Sequence, residues 1–381
     1  MEFTISKQNL LRGLTRTHAV ADRKSSMPIL SNVLLQVSSP GTLELSSTDL
    51  YLGVLAQTEA TVKKGGSVAV SSRTLFEIVK NLPDADVHWQ LVDKHLSHIQ
   101  CGKVKYKIPG LGGESFPQLP SAGKSKFVRI ASDQILELIA LTHYAMSHDE
   151  TRPHLAGALF EGDGNIARMV ATDGHRLSKA EARLGQDQVP PLAFSMLVPT
   201  KGVMELKRLI EDSGPGRTKQ EGNAEHQQVG IATMGNNAFF QRDGVQLSVK
   251  LAEEQFPPYA KVIPQSQQRE IIALRTSLIE ALKRISLVAS DKSGGVRLQI
   301  NPGTLQITSE NPDIGEGSEE LAIDFAGEPV VVGFNARYML DVLGALKSDE
   351  VKLSLGGELD PGVLRPVGDT DFVGVIMPMR I

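Results

Sequence analysis

Residues 67–82 read SVAVSSRTLFEIVKNL, which is an apolar strand followed by a short polar turn and an amphipathic helix. The same pattern returns as FSMLVPTKGVMELKRLI at 194–210 and as PVVVGFNARYMLDVLGAL at 329–346. Equivalent stretches lie about 130 residues apart, which is the length of a whole domain and far exceeds a solenoid repeat. Each repeat also opens with a strand and a helix, at 3–14, 127–139 and 271–285. The chain therefore uses one type of domain three times.

The composition is that of an ordinary globular protein and argues against several other classes. The chain has 381 residues, of which 41% are hydrophobic and 22% charged, enough for two or three domains. No apolar run approaches the ~18–20 residues that span a bilayer, and the start MEFTISKQNL carries no secretory signal. The single cysteine, Cys101, excludes an internal disulfide and suits a reducing compartment. We therefore expect a cytoplasmic protein without membrane contact.

Charge is distributed unevenly between the predicted helices and the rest of the chain. The net charge is −4, and the six predicted helices together carry +7, so the remaining residues carry −11. One interpretation is the ordinary preference of helices for Lys and Arg; the other is a helical surface that faces a polyanion. The six helices are predicted at 6–20, 71–82, 132–146, 200–210, 275–286 and 335–347.

The order of the elements predicts an α+β fold, with helices on one face of largely antiparallel sheets. Pro-, Ser- and Gln-rich stretches, PQLPSAGKS and PQSQQR, mark two boundaries, so we predict domains at 1–122, 126–264 and 268–381. The Gly-rich stretch at 213–226 is predicted to be a long mobile loop within the second domain.

Five further stretches resemble one known family along the whole chain. They are MPILSNVLLQV at 27–37, ATDGHRLSKA at 171–180, EEQFPPYAKVIP at 253–264, GFNARYMLDVLGALK at 333–347 and VIMPMRI at 375–381. In this combination they resemble the bacterial DNA polymerase III β subunits, the sliding clamps. The resemblance implies three topologically equivalent DNA-clamp domains and two chains joined head to tail in a closed ring, with helices inside.

Basic residues on and beside the predicted helices are candidate contacts to DNA phosphates. Asp149 stands where the familiar clamp carries a neutral amide, and Pro153 and His154 stand in place of aromatic residues. The candidates chosen by residue type or by the resemblance are Arg23, Lys24, Arg73, His148, Asp149, Arg152 and Lys201.

The resemblance also implies a groove that binds short peptides of polymerases, the clamp loader and repair factors. Its apolar side chains suit large apolar anchors of a partner, with His175, Arg176 and Arg380 as polar anchors at the rim. Lys261 and Ser293 stand where the familiar clamp has Arg and Phe, so the peptide preference is expected to differ. The implied groove residues are Leu155, Thr172, Gly174, His175, Arg176, Leu177, Pro257, Lys261, Val262, Asn335, Tyr338, Val375, Ile376, Met377, Pro378, Met379 and Arg380.

The third implied site is the dimer seam, where Tyr106 and Ile108 of one chain meet Leu287 and Val288 of the other. From the residues alone these four are equally compatible with a core. A head-to-tail dimer that closes on itself has two identical seams.

Enzymatic motifs are absent from the sequence. Asp173 and His175 could be imagined as an acid–base pair, and His95, His98 and Cys101 as metal ligands. Residues three apart on a strand alternate between its faces, so the three metal-ligand candidates do not converge easily. There is no GxSxG, P-loop, HExxH or CxxC pair. We therefore expect a non-catalytic processivity factor, without metal or cofactor, that encircles primed double-stranded DNA as a homodimer and tethers the replicative polymerase. The alternative is a sequence-neutral DNA-binding or regulatory dimer that does not close as a ring.

Overall fold

The computed structural model describes residues 1–22, 25–39, 41–92, 95–149, 151–185, 190–211, 227–289 and 294–380. Six α-helices lie in these residues, and each follows a strand directly, as the repeated pattern predicts. None of them is long and apolar enough to cross a membrane. The helices are α1 (Lys7–His18), α2 (Ser72–Lys80), α3 (Ser132–Thr142), α4 (Thr200–Glu211), α5 (Arg275–Ile285) and α6 (Ala336–Ala345).

Three of these helices begin at a side-chain cap that the sequence displays. Ser6, Ser71 and Asn335 accept hydrogen bonds from backbone N–H groups three residues ahead, which satisfies groups that the first helical turn leaves without a partner. α3 ends four residues earlier than predicted. At Thr142 the backbone leaves the helical region (φ −128°), and a 3-10 turn at His143–Ala145 follows.

Twenty-five strands of the described residues form antiparallel sheets. This confirms the α+β class. The strands are β1 (Glu2–Ser6), β2 (Asn32–Ser39), β3 (Thr42–Thr48), β4 (Leu52–Glu59), β5 (Thr61–Lys64), β6 (Gly66–Ser71), β7 (Asp86–Val92), β8 (Leu96–Cys101), β9 (Val104–Gly112), β10 (Val128–Ala131), β11 (Gly157–Gly164), β12 (Ile166–Thr172), β13 (Arg176–Arg183), β14 (Leu192–Pro199), β15 (Gln228–Met234), β16 (Asn237–Arg242), β17 (Val245–Lys250), β18 (Arg269–Leu274), β19 (Gly295–Asn301), β20 (Thr304–Asn311), β21 (Gly315–Ala322), β22 (Val330–Asn335), β23 (Glu350–Leu355), β24 (Gly362–Pro366) and β25 (Phe372–Ile376).

The first compact unit comprises Met1–Asp133 and Met204–Leu251. Its sheet has the order β10-β15-β16-β17-β4-β3-β2-β6-β9-β8-β7-β1-β5. The pairing of β17 with β4 joins strands of the first two repeats in one sheet. Phe3 and Trp89 stack in its main core, with ring centroids 5.7 Å apart, because both project to the buried face of neighbouring strands.

The second unit comprises Gln134–Val203 and Ala252–Ile381. One sheet has the order β14-β11-β12-β13-β25-β24-β23-β18, and the other has the order β21-β20-β19-β22. Here the pairing of β13 with β25 joins strands of the second and third repeats. The domain boundaries at 122, 126, 264 and 268 stay a prediction.

Candidate functional site

The turn between β12 and β13 is held by its own side chains. Thr172 Oγ1 donates to Arg176 O (2.6 Å) and accepts from Gly174 N (3.1 Å). Asp173 Oδ1 accepts from His175 N (2.9 Å) and from Arg176 N (3.0 Å). Gly174 has φ +91°, a backbone conformation that glycine adopts without steric cost. The TDGHR sequence therefore specifies one compact turn.

Arg176 is buried beneath this turn, with only 8% of the residue exposed. Its Nε donates to Asp173 Oδ2 (3.1 Å), its Nη1 to Asp341 Oδ2 (2.5 Å) and its Nη2 to Tyr144 O (2.5 Å). The guanidinium also lies over the Tyr338 ring, 4.4 Å from the centroid. These contacts compensate the loss of hydration. The expected position of Arg176 at the rim is therefore wrong, because burial and three acceptors make it a support of the turn.

Two tyrosines complete the network around this arginine. Burial raises the pKa of Tyr144, whose hydroxyl lies 2.5 Å from Ser178 Oγ. Burial also raises the pKa of Tyr338, and the negative charge of Asp173 adds to the effect. His175 stacks on Tyr338, with centroids 6.4 Å apart and an interplanar angle of 21°. The surface above Arg176 is consequently aromatic.

The C-terminal segment lies beside the turn. Arg176 is paired with Ile376 across β13 and β25, and Leu177 with Val375. Beyond β25, Met377 N donates to His175 O (2.9 Å). The structure thus brings together VIMPMR and TDGHRL, two stretches about 200 residues apart that carry the resemblance.

A third segment, at 256–263, packs against an apolar cluster of the second unit. Phe256, Tyr259 and Ile263 pack against the cluster that contains Leu177 and Val375. The 3-10 turn at Tyr259–Lys261 leaves the side chains of Lys261 and Val262 exposed. Tyr259 is also anchored, because its hydroxyl donates to Glu161 Oε2 (2.8 Å).

The implied groove residues fall into two sets by exposure. Those that are buried are Leu155, Thr172, Arg176, Leu177, Val375 and Ile376. Those that are wholly or partly exposed are Gly174, His175, Pro257, Lys261, Val262, Asn335, Tyr338, Met377, Pro378, Met379 and Arg380. Sequence reasoning missed Tyr144 and Asp341 as supports. A signal exists for Asp341, which lies three residues after Tyr338 and hence on the same face of α6.

The candidate DNA contacts are partly accessible. Arg73, His148 and Lys201 are exposed, whereas Arg152 forms an ion pair with Asp149 (3.0 Å). Arg23 and Lys24 lie outside the described residues, as do Ser293 and the loop at 213–226.

The departure at Asp149 has a local structural role. Hydrogen bonds from the Thr151 hydroxyl and backbone N–H lower the pKa of Asp149, and Arg152 contributes further. Arg152 Nη1 also lies 3.3 Å from the point that a Cβ on Gly174 would occupy. This acid therefore positions an arginine next to the 172–176 turn and neutralises part of its charge.

At the implied seam, Tyr106 and Leu287 are exposed, and Leu287 is 78% exposed. Ile108 belongs to the main core of the first unit, and Val288 is partly exposed. Residues 104–109 of β9 pair with β8 alone, and β21 pairs with β20 alone, so each strand has an edge that is unpaired within the described residues.

The residues considered for an acid–base pair or a metal site are not brought together in the part of the chain that the structure describes. No group of three or more His, Cys, Asp or Glu residues among them is placed to hold a metal ion. Asp173 engages the backbone N–H of His175 and not its ring. Cys101 is buried, whereas His95 and His98 are partly exposed.

Comparison with known proteins agrees with this architecture. Models of the N-terminal, central and C-terminal domains of the DNA polymerase III beta subunit match residues 1–120, 129–258 and 260–380. The chain belongs to this family. It is 31% identical to the beta sliding clamps of Caulobacter vibrioides and Escherichia coli, over the full length of both chains in each comparison. The crystal structure of the Pseudomonas aeruginosa beta subunit superposes with a TM-score of 0.92 at 31% identity, again over both full chains.

Family membership confirms the three-domain clamp organisation and the sliding-clamp function. The family acts without catalysis, so the chain is not an enzyme. Another crystal structure, of the Pseudomonas aeruginosa clamp bound to griselimycin, is 30% identical with a TM-score of 0.89.

Proposed function

We propose that two copies of this chain close head to tail around duplex DNA and tether the replicative polymerase. The groove formed by the 172–176 turn and the C-terminal segment would bind the polymerase and, in turn, the clamp loader, other polymerases and repair factors. The observation that carries the proposal is the junction of the 172–176 turn with the C-terminal segment, in a chain of the clamp family. Because replication proteins act where the bacterial chromosome lies, we also propose a cytoplasmic location.

The exposed set of groove residues has the chemistry that this role requires. Met377, Met379 and Val262 offer adaptable apolar surface, and Tyr338 and His175 add a flat aromatic wall. The buried Arg176 network holds that wall in place, which lowers the entropic cost of binding a flexible peptide.

Ring closure fits the dimensions of DNA. Two chains with six helices each give a circle of about 120 Å circumference at about 10 Å spacing, with an opening of about 28 Å after the helix radii are removed. A duplex passes through such an opening without its grooves being read, since helices at that distance meet the phosphates and not the bases. The protein is then retained by topology and still slides.

Basic residues at the starts of three helices support a ring in which the helices face the DNA. Arg73, Lys201 and Arg337 each take the second position of α2, α4 or α6, and all three are exposed. A cation there opposes the helix dipole by about 0.3–1 kcal/mol, so helix stability does not explain it. We therefore add Arg337, which sequence reasoning missed, to the proposed phosphate contacts. Arg337→Glu should reduce loading onto DNA, whereas Arg365→Glu on β24 should not.

The two unpaired strand edges support the seam. β9 carries the exposed Lys105 and Lys107 beside Tyr106, whereas β21 carries the exposed Glu316 and Glu320. Opposite charges on two such edges favour pairing between chains and discourage pairing of like edges. The helix end that holds Leu287 adjoins β21, because a Cβ on Gly317 would lie 3.0 Å from Val288 Cγ2.

Retention on DNA by topology tests the function. The protein is loaded by an ATP-dependent clamp loader onto nicked circular plasmid, isolated at moderate salt, and the plasmid is then linearised. We expect loss from the linear DNA and retention on the intact circle. Equal dissociation from both would contradict the ring and favour the open DNA-binding dimer.

Two variants test the individual surfaces. Leu287→Asp should give a monomer by sedimentation, and Leu359→Asp should remain a dimer, since Leu359 is 64% exposed but is not a seam candidate. A dimeric Leu287→Asp protein would disprove this seam.

Deletion of residues 377–381 should abolish polymerase stimulation without dissociating the dimer; retained stimulation would place the partner site elsewhere.

A further inference from the structure

The turn at 48–52, in the first unit, has its own built-in hydrogen bonds. Thr48 Oγ1 donates to Leu52 O (2.7 Å) and accepts from Leu50 N (2.9 Å). Asp49 Oδ1 accepts from Tyr51 N (2.9 Å) and from Leu52 N (2.6 Å). The turn at 172–176 has a Thr and an Asp that make the same four bonds. The two turns are therefore equivalent positions of two repeats.

The strand that pairs beside each turn is equivalent as well. Lys250 N donates to Tyr51 O (2.8 Å), just as Met377 N donates to His175 O (2.9 Å). The first unit consequently contains the same backbone framework that carries the proposed partner groove in the second unit, with different side chains on it.

Those side chains form an exposed apolar surface. Leu50 is 53% exposed, Tyr51 is 65% exposed and Met234 is 51% exposed. They lie along one row across adjacent strands, because Asn237 is paired with both Met234 and Lys250, and Lys250 N donates to Tyr51 O. Exposed apolar side chains grouped in this way are characteristic of interaction surfaces.

Backbone strain at Leu50 supports the same interpretation. Leu50 has φ +74°, in the left-handed region that disfavours side chains, whereas the equivalent Gly174 occupies this region without cost. The leucine is mostly exposed, so core packing does not explain why a strained position carries a large apolar residue. Strain retained without a packing benefit is a mark of functional surfaces.

The charges around this surface identify the chemistry of its occupant. Lys250 Nζ lies 5.7 Å from the centre of the Tyr51 ring, and Lys124 is exposed next to Gly123, which adjoins Met234. The nearby carboxylate of Asp49 is engaged with backbone N–H groups of the turn. An apolar surface flanked by cations complements a segment that alternates apolar and acidic side chains.

We propose that Leu50, Tyr51, Met234 and Lys250 form a second docking surface, which binds an extended acidic segment carrying large apolar side chains. This surface rests on the proposed function, because it gives the partners of a clamp a contact in addition to the groove.

Methyl NMR on the full-length dimer with ¹³C-methyl methionine tests the proposal. Met234 reports on the new surface, while Met377 and Met379 report on the proposed groove. The probes are a capped Glu-Leu-Glu-Phe-Glu peptide and its matched Lys-Leu-Lys-Phe-Lys peptide. We expect a saturable shift of the Met234 methyl with the glutamate peptide, and affinity lower by about tenfold or more with the lysine peptide.

Variants separate this surface from the groove. Leu50→Gly removes the apolar contact and relieves the backbone, and Lys250→Glu reverses the charge. Each should weaken the Met234 response by about tenfold and leave that of Met377 unchanged. Leu359→Gly, which removes a leucine of the second unit that is 64% exposed, is the control and should change neither response.

The two proposals fail in different ways. A Met234 methyl that stays in place, or that moves equally with both peptides, overturns the second surface and leaves the groove unaffected. The groove is tested separately, by the loss of polymerase stimulation after deletion of residues 377–381, and its failure would leave the Met234 response unaffected.

Discussion

The turns at 172–176 and at 48–52 share the hydrogen bonds that their Thr and Asp side chains make to the backbone, yet the residue that ends each turn differs completely. In the first, Arg176 is buried against Asp173, Asp341 and the Tyr144 carbonyl. In the second, Leu52 is buried and apolar. The Thr and Asp side chains thus fix the backbone independently of what the turn supports. The final residue then decides whether the surface above is held by a polar network or rests on an apolar core.

The largest expected effect comes from removing that arginine. Arg176→Met should lower the free energy of unfolding by about 2–4 kcal/mol, because Asp173 and Asp341 lose their shared cation in a largely buried site. The expected loss of unfolding free energy is smaller than for a fully buried ion pair, because Asp341 is partly exposed. Urea unfolding followed by circular dichroism measures the change.

Arg183 is the matched control. It pairs with Asp371 at the surface (2.9 Å), where solvent screens the ion pair, so Arg183→Met should lower the free energy of unfolding far less than Arg176→Met. Similar losses for both variants would show that the Arg176 network does not distinguish the two turns.

Alkaline pH sharpens the comparison, because the 172–176 turn packs against the half-buried Tyr144 through Arg176, whereas Tyr51 is exposed. Burial raises the pKa of Tyr144, so the folded state keeps its proton while the unfolded chain loses it near pH ~10. Stability should be unaffected below pH ~10 and should fall above it, by about 1.4 kcal/mol per pH unit for this group.

Tyr144→Phe removes this dependence, at the expense of the contact with Ser178. The slope of stability against pH above ~10 should become shallower in Tyr144→Phe. If the unfolding free energy of the wild type and of Tyr144→Phe fell in parallel above pH ~10, Tyr144 would be excluded as the source of the pH dependence.

Sequence reasoning found the elements but not all of their partners. The six helices were predictable, because amphipathic periodicity is local. The burial of Arg176 was not, because two of its three acceptors lie 165 and 32 residues away in the chain. A charged residue is expected at the surface unless its partners are known.

The same distinction applies to the sheets and the sites. The pairing of β4 with β17 and of β13 with β25 joins strands of different repeats, and alternating apolar residues do not identify a distant partner. The resemblance supplied most groove residues, and the structure brings the 172–176 turn and the C-terminal segment together. It also places Ile108, predicted for the seam, in a core.

The smallest effect should come from exchanging the residues at the left-handed position, and its sign should differ between the two turns. Leu50→Gly relieves a strained backbone and should stabilise the protein by about 0.5–1 kcal/mol. Gly174→Ala introduces the strain and brings a Cβ to 3.3 Å from Arg152 Nη1, so it should destabilise by about 1 kcal/mol. Both shifts are measurable by urea unfolding. If both variants destabilised the protein, the two turns would not be equivalent in energy, although their hydrogen bonds are the same. The exposed leucine at position 50 would then contribute to folding rather than to binding.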